Sequence, residues 1–331
     1  MKRIISRTPV RISFFGGGTD YPDYYARHPG ATLGTTIDKY TYISINDLSN
    51  FFDYKVRISY SKIEFINALE QIEHPSIRAC FLHKKIFPSI DIHISSDLPA
   101  KTGLGSSSSF TVGFLNALYA YEGKRVTKKA LAEEACFIEQ EVIQENVGSQ
   151  DQFLTAFGGL NVLEFNQSEI KVRPVIISKE KKEFLQKHLL LFYTGITRYA
   201  NIVVKEQLDN TNSLRNETFL QQIYEMVFEA EEIISNAKIE EIAPLLGKLL
   251  HQSWLLKKQL SSKISNPFID TSYEKALLAG AYGGKLCGAG SGGFLALLAS
   301  PEKQPFVRKA LCDLLEVEFR FENDGSSIIY H

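Results

Sequence analysis

Three short clusters of glycine constrain this 331-residue chain more than any other feature of its sequence. The first spans residues 16–18, the second contains Gly103 and Gly105, and the third lies within residues 288–293. Glycine adopts positive φ without strain and lets the backbone approach a ligand closely. A glycine cluster after a strand is therefore a candidate phosphate-binding loop, and this chain has three such candidates.

The second cluster is the strongest of the three candidates. Its two glycines run into four serines, Ser106–Ser109, and apolar residues at helical spacing follow. The free N–H groups and the dipole at the start of a helix favour an anion, and serine hydroxyls add donors. A serine-capped helix after a flexible turn is the alternative. Because two glycines and four serines exceed what a cap needs, we expect this segment to bind phosphate.

The third cluster matches a dinucleotide-binding motif in its glycine spacing, but the residues after it do not have the pattern that the motif requires. Residues 288–293 satisfy G-x-G-x-x-G, and Asp313 follows at about the distance found in that motif. The next residues, Phe294–Leu298, have the pattern of a strand, whereas the motif requires a helix at this point. A Walker P-loop is also excluded, because Leu286 follows Lys285 where Ser or Thr is required.

The charge balance and the polar residues exclude several classes of protein. Lys and Arg number 37 against 38 Asp and Glu, so no basic excess predicts binding to nucleic acid. No apolar run approaches about 18 residues, so a membrane span is not expected. The four cysteines and seven histidines are scattered, without a spacing typical of zinc ligands. We expect a cytoplasmic enzyme that acts on a small molecule.

The order of predicted elements indicates two α+β domains. Alternating strands occupy the first third, for example at Arg11–Phe15 and Ile90–Ile94. Helical patterns follow, and the second of these helices is predicted to start after Thr127 and to end at Gly148 and Ser149. After a charged patch at Lys179–Lys182 come a strand, a long helical stretch and further strands, the last predicted at Val317–Phe321. We place the boundary at this patch, so that the predicted domains are residues 1–178 and 179–331.

Two acidic residues and one basic residue are candidates for phosphoryl transfer. This reaction needs a metal-held triphosphate, a cation to stabilise developing charge, and a group that positions or deprotonates the acceptor hydroxyl. Glu139 and Asp151 are suitable carboxylates, and Arg11 lies on the strand before the first glycine cluster. Taken alone, Glu139 also fits a solvated helix position and Asp151 a helix N-cap.

Three motifs occur in the order typical of one enzyme family. They are RTPVRISFFGGGTDY from Arg7 to Tyr21, GLGSSSS from Gly103 to Ser109, and KLCGAGSGG from Lys285 to Gly293. In these motifs the chain resembles the GHMP kinases, which include galactokinase, homoserine kinase and mevalonate kinase. The resemblance implies an α+β, two-domain fold. Its N-terminal domain would be a mixed sheet with helices, ribosomal S5 domain 2-like, and its C-terminal domain would be ferredoxin-like.

Within this family the sequence is most similar to the D-glycero-D-manno-heptose 7-phosphate kinases. The triple glycine with Thr19-Asp20, the four-serine run, the segment GSQDQ at 148–152 and the segment YTGITR at 193–198 carry this similarity. Galactokinases share Thr19-Asp20-Tyr21, but they carry Glu-His where this chain has Gly17-Gly18. This departure disfavours galactose as the substrate.

The resemblance implies a role for each residue that matches a family motif. Asp151 would accept or orient the proton of the sugar hydroxyl, and Arg11 would stabilise the attacking oxygen. Glu139 and a serine of the second motif would bind Mg²⁺, with Ser107 the first choice and Ser106 and Ser108 the alternatives. The residues expected to bind ATP are Gly103, Leu104, Gly105, Ser106, Ser107, Ser108 and Ser109. Those expected to bind the substrate are Gly17, Gly18, Thr19, Asp20, Arg198, Gly288 and Gly290.

The reaction implied is transfer of the γ-phosphoryl group of ATP to the anomeric hydroxyl of heptose 7-phosphate. The 1,7-bisphosphate product would enter the synthesis of nucleotide-activated heptose and surface polysaccharide. Arg198 would meet the second phosphate of the substrate, or else form a surface ion pair. Another sugar-1-kinase, galactokinase-like or fucokinase-like, and a non-catalytic sugar sensor remain alternatives. The expected partners are ATP, Mg²⁺ and a sugar phosphate, without nucleic acid or membrane, and a homodimer is left open.

Overall fold

The structure, a computed structural model, describes residues 2–100, 102–196 and 200–331, which form thirteen β-strands and eleven α-helices. The strands are β1 (Arg3–Phe15), β2 (Gly30–Asp47), β3 (Val56–Ser59), β4 (Ile63–Ile66), β5 (Ile90–Ser96), β6 (Leu160–Phe165), β7 (Ile170–Pro174), β8 (Leu189–Tyr193), β9 (Gly283–Leu286), β10 (Phe294–Leu298), β11 (Leu315–Glu316), β12 (Phe321–Glu322) and β13 (Ser327–Tyr330). The α-helices are α1 (Pro22–Tyr25), α2 (Pro75–Lys84), α3 (Ser106–Tyr121), α4 (Lys128–Phe137), α5 (Gln150–Phe157), α6 (Lys179–His188), α7 (Ala200–Asn212), α8 (Glu217–Asn236), α9 (Ile239–Gln259), α10 (Pro267–Leu278) and α11 (Gln304–Ala310). A 3₁₀ turn spans Leu69–Gln71, and a π-helical turn at Ile138–Val142 continues α4.

The first sheet has the strand order β13-β1-β2-β5-β3-β4, and β6, β7 and β12 extend it along β2. The pair β3–β5 is parallel and its other strand pairs are antiparallel, so the predicted mixed sheet is confirmed. Helix α3 packs against β1 and β2, and α5 packs against α3 and α4. The core between this sheet and α2–α5 contains fully buried Phe81, Phe114 and Phe153.

The second sheet is antiparallel, with the strand order β11-β8-β10-β9. Numbered along the chain within this sheet, the order is 4-1-3-2. Helices α7–α10 connect its first two strands and α11 connects its last two, which is the β-α-β-β-α-β plan. The predicted ferredoxin-like domain is therefore confirmed.

The last residues of the chain return to the first sheet. β12 pairs with β2, with Phe321 opposite Ile37, and β13 pairs with β1. A second core joins the inner face of the first sheet to α8, α9 and the second sheet. The two halves are thus held together by strand pairing and by buried apolar area, and the boundary at 178/179 stays a prediction.

Three segments have a different structure from the one that the sequence predicts. The charged patch at Lys179–Lys182 is the first turn of α6, where the Ser178 hydroxyl accepts from Lys181 N. The helix predicted to end at Gly148 and Ser149 ends at Val142, and Gln144 then adopts φ +60°. The strand predicted at 317–321 is instead the crossing between β11 and β12, because its ends pair with different sheets. Among the described residues, no helix combines the length and apolar character that crossing a membrane requires.

Candidate active site

All three glycine clusters border one cavity of about 270 Å³. The first cluster follows β1, the second precedes α3, and the third connects β9 to β10. A Cβ atom on Gly288 would lie 2.4 Å from Gly103 Cα, so the second and third clusters are in backbone contact. Gly288 has φ +77°, which other residues adopt with strain. The close contact brings the second half of the chain against the start of α3.

The start of α3 presents backbone donors to this cavity. Gly105 is the N-cap residue, with φ +73°, and the helix begins at Ser106. Ser106, Ser107 and Ser108 line the cavity. The serines are therefore in the first turn of the helix, where free N–H groups and the helix dipole attract an anion. Helix α3 is sixteen residues long, so the dipoles of many peptide units add up to a partial positive charge at its N-terminus.

Arg11 and Asp151 form a bidentate ion pair beside the start of α3. Arg11 Nε lies 2.7 Å from Asp151 Oδ1, and Arg11 Nη2 lies 2.7 Å from Asp151 Oδ2. The remaining nitrogen, Nη1, donates to Gly103 O at 2.7 Å. Arg11 is 4% exposed, whereas the Asp151 side chain is 24% exposed toward the cavity. The guanidinium thus fixes the carboxylate and leaves it accessible to a ligand.

Asp20 is a second carboxylate in the cavity wall. Its Oδ1 accepts from Gly18 N at 2.9 Å, and its Oδ2 accepts from Gln150 Nε2 at 2.9 Å. Burial raises the pKa of Asp20, and the negative charge of Asp151 raises it further. Asp20 and Asp151 are thus close enough to interact, on the same side of the cavity.

Glu139 is buried at the π-helical turn that follows α4. Its Oε2 accepts from Ser108 Oγ at 2.8 Å and from Gln152 Nε2. Its Oε1 is buried without a hydrogen-bond partner in the described parts of the chain. Burial raises the pKa of Glu139 to about 7. Thr111, Ser108 and Gln152 oppose this rise by hydrogen bonding to the carboxylate. A buried carboxylate next to the start of α3, where phosphate binding is predicted, is suited to a cation.

The donor set around Glu139 fits Mg²⁺ rather than a metal held by protein alone. The described residues contain no group of three His, Cys, Asp or Glu side chains that could hold a metal ion. Mg²⁺ is usually bound by one or two carboxylates together with substrate phosphates and water. One carboxylate and one serine hydroxyl beside a phosphate-binding loop agree with that preference.

Comparisons with known proteins agree with this geometry. A family model described as the GHMP kinases N terminal domain matches residues 67–159, and one described as GHMP kinases C terminal matches residues 239–317. A D-glycero-alpha-D-manno-heptose 7-phosphate kinase of Campylobacter jejuni is 31% identical over 324 residues, covering 94% of each chain. This chain belongs to the GHMP kinase family. It is accordingly an ATP-dependent phosphotransferase.

Two further proteins are similar to this GHMP kinase, one in fold and one in sequence. The crystal structure of a D-glycero-D-manno-heptose 1-phosphate kinase from Bacteroides thetaiotaomicron matches with a TM-score of 0.79 and 22% identity, covering 99% of this chain and 100% of that one. A galactokinase of Pyrococcus furiosus is 26% identical over 346 residues, covering 94% of this chain and 93% of the galactokinase. The predicted GHMP kinase fold is thus confirmed.

The structure brings most of the predicted site residues of this GHMP kinase to the cavity and leaves four described side chains out of its lining. One of them is Glu139, which contacts the cavity residue Ser108. Thr19 donates to Gly16 O and is fully buried, and Ser109 donates to Thr8 O. Leu104 belongs to an apolar core. Arg198 lies outside the described residues. The predicted residues that line the cavity are Arg11, Gly17, Gly18, Asp20, Gly103, Gly105, Ser106, Ser107, Ser108, Asp151, Gly288 and Gly290.

Ser107 and Ser108 have different positions in the GHMP kinase site. Ser108 is buried and hydrogen-bonded to Glu139, whereas Ser107 is exposed and lines the cavity. The structure therefore places the Ser108 hydroxyl next to the carboxylate of Glu139, the predicted metal ligand. The assignment of Ser107 as the metal ligand stays a prediction.

Sequence reasoning assigned no role to several residues that line the cavity, among them Ser13, Gln150, Lys257 and Lys285. Ser13 Oγ and Gln150 Oε1 are buried without hydrogen-bond partners in the described ranges. Ser13 lies two positions after Arg11 on β1, so strand alternation was a usable signal for it. Lys257 follows the buried stripe of α9 at helical spacing, three residues after Trp254. Gln150 lies in the segment GSQDQ at 148–152, which carries the family resemblance, but no role was assigned to it.

Proposed function

We propose that this chain is a sugar kinase that phosphorylates the anomeric hydroxyl of D-glycero-D-manno-heptose 7-phosphate. ATP is the phosphoryl donor, Mg²⁺ is the cofactor, and the product is the 1,7-bisphosphate. This product would serve the synthesis of nucleotide-activated heptose for a surface polysaccharide. The choice of sugar is supported by the Campylobacter jejuni relative and by the segments that resemble the heptose 7-phosphate kinases.

The Arg11–Asp151 pair is the observation that carries the proposed chemistry. Its carboxylate is held by two hydrogen bonds of 2.7 Å and faces the cavity, directly beside the helix start of α3. A Cβ atom on Gly105 would lie 3.2 Å from Asp151 Oδ2, so the acid and the N-cap of α3 are adjacent. An acceptor hydroxyl at Asp151 would therefore lie next to a phosphate bound at α3.

In the proposed step the anomeric oxygen attacks the γ-phosphorus of ATP. A P–O bond forms to the sugar, the bond between the γ-phosphorus and the β,γ-bridging oxygen breaks, and ADP leaves. Asp151 accepts the proton of the attacking hydroxyl, or orients that hydroxyl until its proton is released. Arg11 holds the Asp151 carboxylate in one orientation through two hydrogen bonds and stabilises the negative charge that develops on the attacking oxygen. The first turn of α3 supplies donors for the phosphate oxygens.

Glu139 and a serine hydroxyl of α3 would hold Mg²⁺. When bound, Mg²⁺ neutralises charge on the phosphate oxygens. Gln152 and Ser108 fix the orientation of the Glu139 carboxylate through Oε2, which leaves Oε1 for the cation. Burial at this position excludes water from the carboxylate and strengthens its attraction for a cation.

The sugar itself would be bound by the wall that contains Asp20. Gly18 N and Gln150 hold the Asp20 carboxylate, and Ser13 Oγ and Gln150 Oε1, on residues that line the same cavity, have no hydrogen-bond partner among the described residues. Polar atoms of this kind suit the hydroxyl groups of a sugar, because each buried atom gains a hydrogen bond on binding. We infer that the sugar ring lies between Asp20 and Asp151.

Gly18 favours the heptose over galactose as the substrate. A Cβ atom at Gly18 would lie 2.9 Å from Leu220 Cδ2 and 3.0 Å from Gln207 Nε2, and Gly18 has φ +109°. A side chain such as the histidine that galactokinases carry here would be strained at this φ and would displace the ends of the Leu220 and Gln207 side chains. The galactokinase relative nevertheless keeps a galactokinase-like activity as the second candidate.

A substrate panel tests the proposed function. ADP release is measured with ATP, Mg²⁺ and heptose 7-phosphate, unphosphorylated heptose, galactose, fucose or mevalonate as acceptor. We expect heptose 7-phosphate to give the highest kcat/KM, and ³¹P NMR to place the new phosphate on the anomeric oxygen. Faster turnover of galactose or fucose would replace the heptose by that sugar. Absence of turnover with every acceptor, in a protein that binds ATP, would favour the sugar sensor.

A further inference from the structure

Two buried lysines line the same cavity as Arg11 and Asp151. Lys257 on α9 is 7% exposed and Lys285 on β9 is 3% exposed. Both ammonium groups donate to backbone carbonyls: Lys285 Nζ to Phe14 O at 3.0 Å, and Lys257 Nζ to Gly288 O. Within the described ranges neither lysine forms an ion pair with a carboxylate.

This situation is unusual for a buried lysine. An ammonium group removed from water is costly unless a negative charge replaces the lost hydration. Elsewhere in this protein the rule is followed: the Lys84 side chain is 9% exposed and lies 3.2 Å from Glu122. Arg11 is likewise paired with Asp151. Lys257 and Lys285 are therefore two buried cations without a carboxylate partner among the described residues.

The surrounding charges show why the two lysines attract an anion. Burial lowers the pKa of Lys257 to about 7, and the charge of Lys285 lowers it further. Burial also lowers the pKa of Lys285 to about 8. Arg11 acts in the same direction on both lysines, whereas Asp20 and the thiol of Cys287 oppose it. An incoming dianion would reverse these effects and stabilise both protonated lysines.

We propose that Lys257 and Lys285 form a subsite for a phosphoryl group of a substrate, bound against the third glycine cluster. The phosphoryl group is either the one that the acceptor sugar already carries or one that belongs to the nucleotide. Lys257 donates to the carbonyl of Gly288, and Gly288, Ala289, Gly290 and Gly292 line the cavity beside it. Lysine ammonium groups next to a glycine loop are a suitable environment for phosphate. The proposal rests on the proposed function for the identity of the acceptor.

Binding measurements on lysine variants test this subsite. Lys257→Met removes the charge, whereas Lys257→Gln removes the charge but keeps a donor for Gly288 O. Lys258→Met is the matched control, because Lys258 is on the same helix and pairs with Asp270 at 3.1 Å. Isothermal titration calorimetry is carried out with heptose 7-phosphate, unphosphorylated heptose, inorganic phosphate and the ATP analogue AMP-PNP with Mg²⁺.

We expect both Lys257 variants to weaken at least one phosphorylated ligand by roughly 10- to 100-fold, as for loss of a charged hydrogen bond. Unphosphorylated heptose should bind equally to all variants, and Lys258→Met should match the wild type. Weaker binding of heptose 7-phosphate alone would assign the subsite to the acceptor, and weaker binding of AMP-PNP alone would assign it to the nucleotide. Unchanged binding of every phosphorylated ligand would overturn the proposal. So would equal weakening of unphosphorylated heptose, or restoration by Lys257→Gln, since both indicate that the lysine only shapes the loop.

Proton uptake provides an independent readout. At pH 8 a phosphorylated ligand should draw a proton onto Lys257, whereas at pH 6 this lysine is already protonated. Calorimetry in two buffers of different ionisation enthalpy measures this uptake, and Lys257→Met should reduce it at pH 8. Identical uptake in wild type and variant would contradict the subsite. If wild type does not bind heptose 7-phosphate at all, the proposed function fails, while AMP-PNP and inorganic phosphate still test the lysines.

Discussion

The two walls of the cavity differ in whether their charged side chains are paired within the protein. On the wall built by the first half of the chain, Arg11 is paired with Asp151, and Asp20 accepts hydrogen bonds from Gly18 N and Gln150. Glu139 is buried next to this wall and accepts a hydrogen bond from Ser108. On the wall built by the second half, Lys257 and Lys285 meet only carbonyl groups among their described partners. In the free protein the Arg11 and Asp151 charges of the first wall are paired with each other. The two ammonium groups of the second wall have no carboxylate partner among the described residues.

This difference separates two tasks. Groups that take part in a reaction must be held in one orientation before the substrate arrives, and paired charges provide that. Groups that attract an anionic substrate gain most when their charge is unsatisfied in the free protein, because binding then relieves the cost of burial. We infer that the first wall acts mainly on turnover and the second mainly on affinity.

Replacing Asp151 by Asn should give the largest effect. The amide cannot accept the proton of the hydroxyl, and it leaves part of the Arg11 guanidinium unpaired. Turnover should fall by roughly 10²- to 10⁴-fold, the usual contribution of a general base. Affinity for AMP-PNP, measured by calorimetry, should change little. Asp270→Asn, a partly exposed carboxylate paired with Lys258, is the matched control and should keep normal turnover.

An unchanged kcat in the Asp151 variant would remove this residue from the mechanism. A large loss of AMP-PNP affinity would contradict the division between the walls, since Asp151 would then serve binding as much as chemistry.

Replacing Lys257 by Met should stabilise the free protein at low pH. The pKa of Lys257 is lowered from 10.5 to about 7 in the folded state, mainly by burial. Between these values the unfolded chain binds a proton that the folded protein lacks, so the wild-type free energy of unfolding rises with pH. At pH 6 the variant should therefore be more stable than the wild type, by on the order of 2 kcal/mol. The difference should shrink toward pH 10.

Urea denaturation of the ligand-free protein from pH 6 to pH 10 measures this effect. Lys258→Met serves again as the control, and its curve should remain parallel to that of the wild type. A Lys257 variant that is less stable than the wild type at pH 6 would show that the buried ammonium is already satisfied in the free protein.

The sequence predicted elements that have local signals better than elements whose limits depend on strand pairing. The strand at Arg11–Phe15 was predicted too short, because Pro9 interrupts the alternation; the structure accommodates Pro9 at a register shift and continues β1 back to Arg3. The start of α4 at Thr127 was correct, because its hydroxyl caps the helix locally. Local signals such as caps and periodicity are readable from a sequence, whereas strand pairing across the chain decides where a strand begins.

The site shows the same contrast between local and long-range information. Arg11 and Asp151 are 140 positions apart, and only the family motifs connected them before the structure placed them 2.7 Å from each other. Lys257 was visible as a lysine at a core position of α9, but its meaning depends on Gly288 and Lys285, which come from other elements. The wall formed by the second half therefore could not be predicted from the motifs alone.

Replacing Glu139 by Gln should weaken the dependence on Mg²⁺. The neutral amide keeps the shape of the buried side chain and loses the charge that would attract the cation. The Mg²⁺ concentration for half-maximal activity should rise by roughly tenfold. Glu141, an exposed residue in the same π-helical turn, provides the matched control Glu141→Gln, which should leave the requirement unchanged.

A second measurement keeps the Glu139 experiment independent of turnover. Mg²⁺ with AMP-PNP should raise the Tm of the wild type by more than AMP-PNP alone, and this increment should be reduced in Glu139→Gln. An equal increment in both proteins would place the cation elsewhere in the cavity.

The smallest effect should distinguish Ser108 from Ser107. Successive residues of a helix point about 100° apart, so a run of four serines does not reveal which hydroxyl faces the metal. The packing of α3 against β1 decides this, and it places Ser108 Oγ 2.8 Å from Glu139 Oε2. Ser108→Ala should therefore raise the Mg²⁺ concentration for half-maximal activity by roughly three- to tenfold, the loss of one hydrogen bond to a charged group.

Ser107→Ala is the matched comparison, because it removes the same hydroxyl from the neighbouring position in the first turn of α3. Ser107 is exposed on the cavity side, so its variant should change the KM for ATP more than the Mg²⁺ requirement. Titrating Mg²⁺ at fixed ATP, and ATP at saturating Mg²⁺, separates the two effects. If Ser107→Ala raises the Mg²⁺ requirement and Ser108→Ala does not, the metal ligand is Ser107, and Ser108 serves only to orient the Glu139 carboxylate.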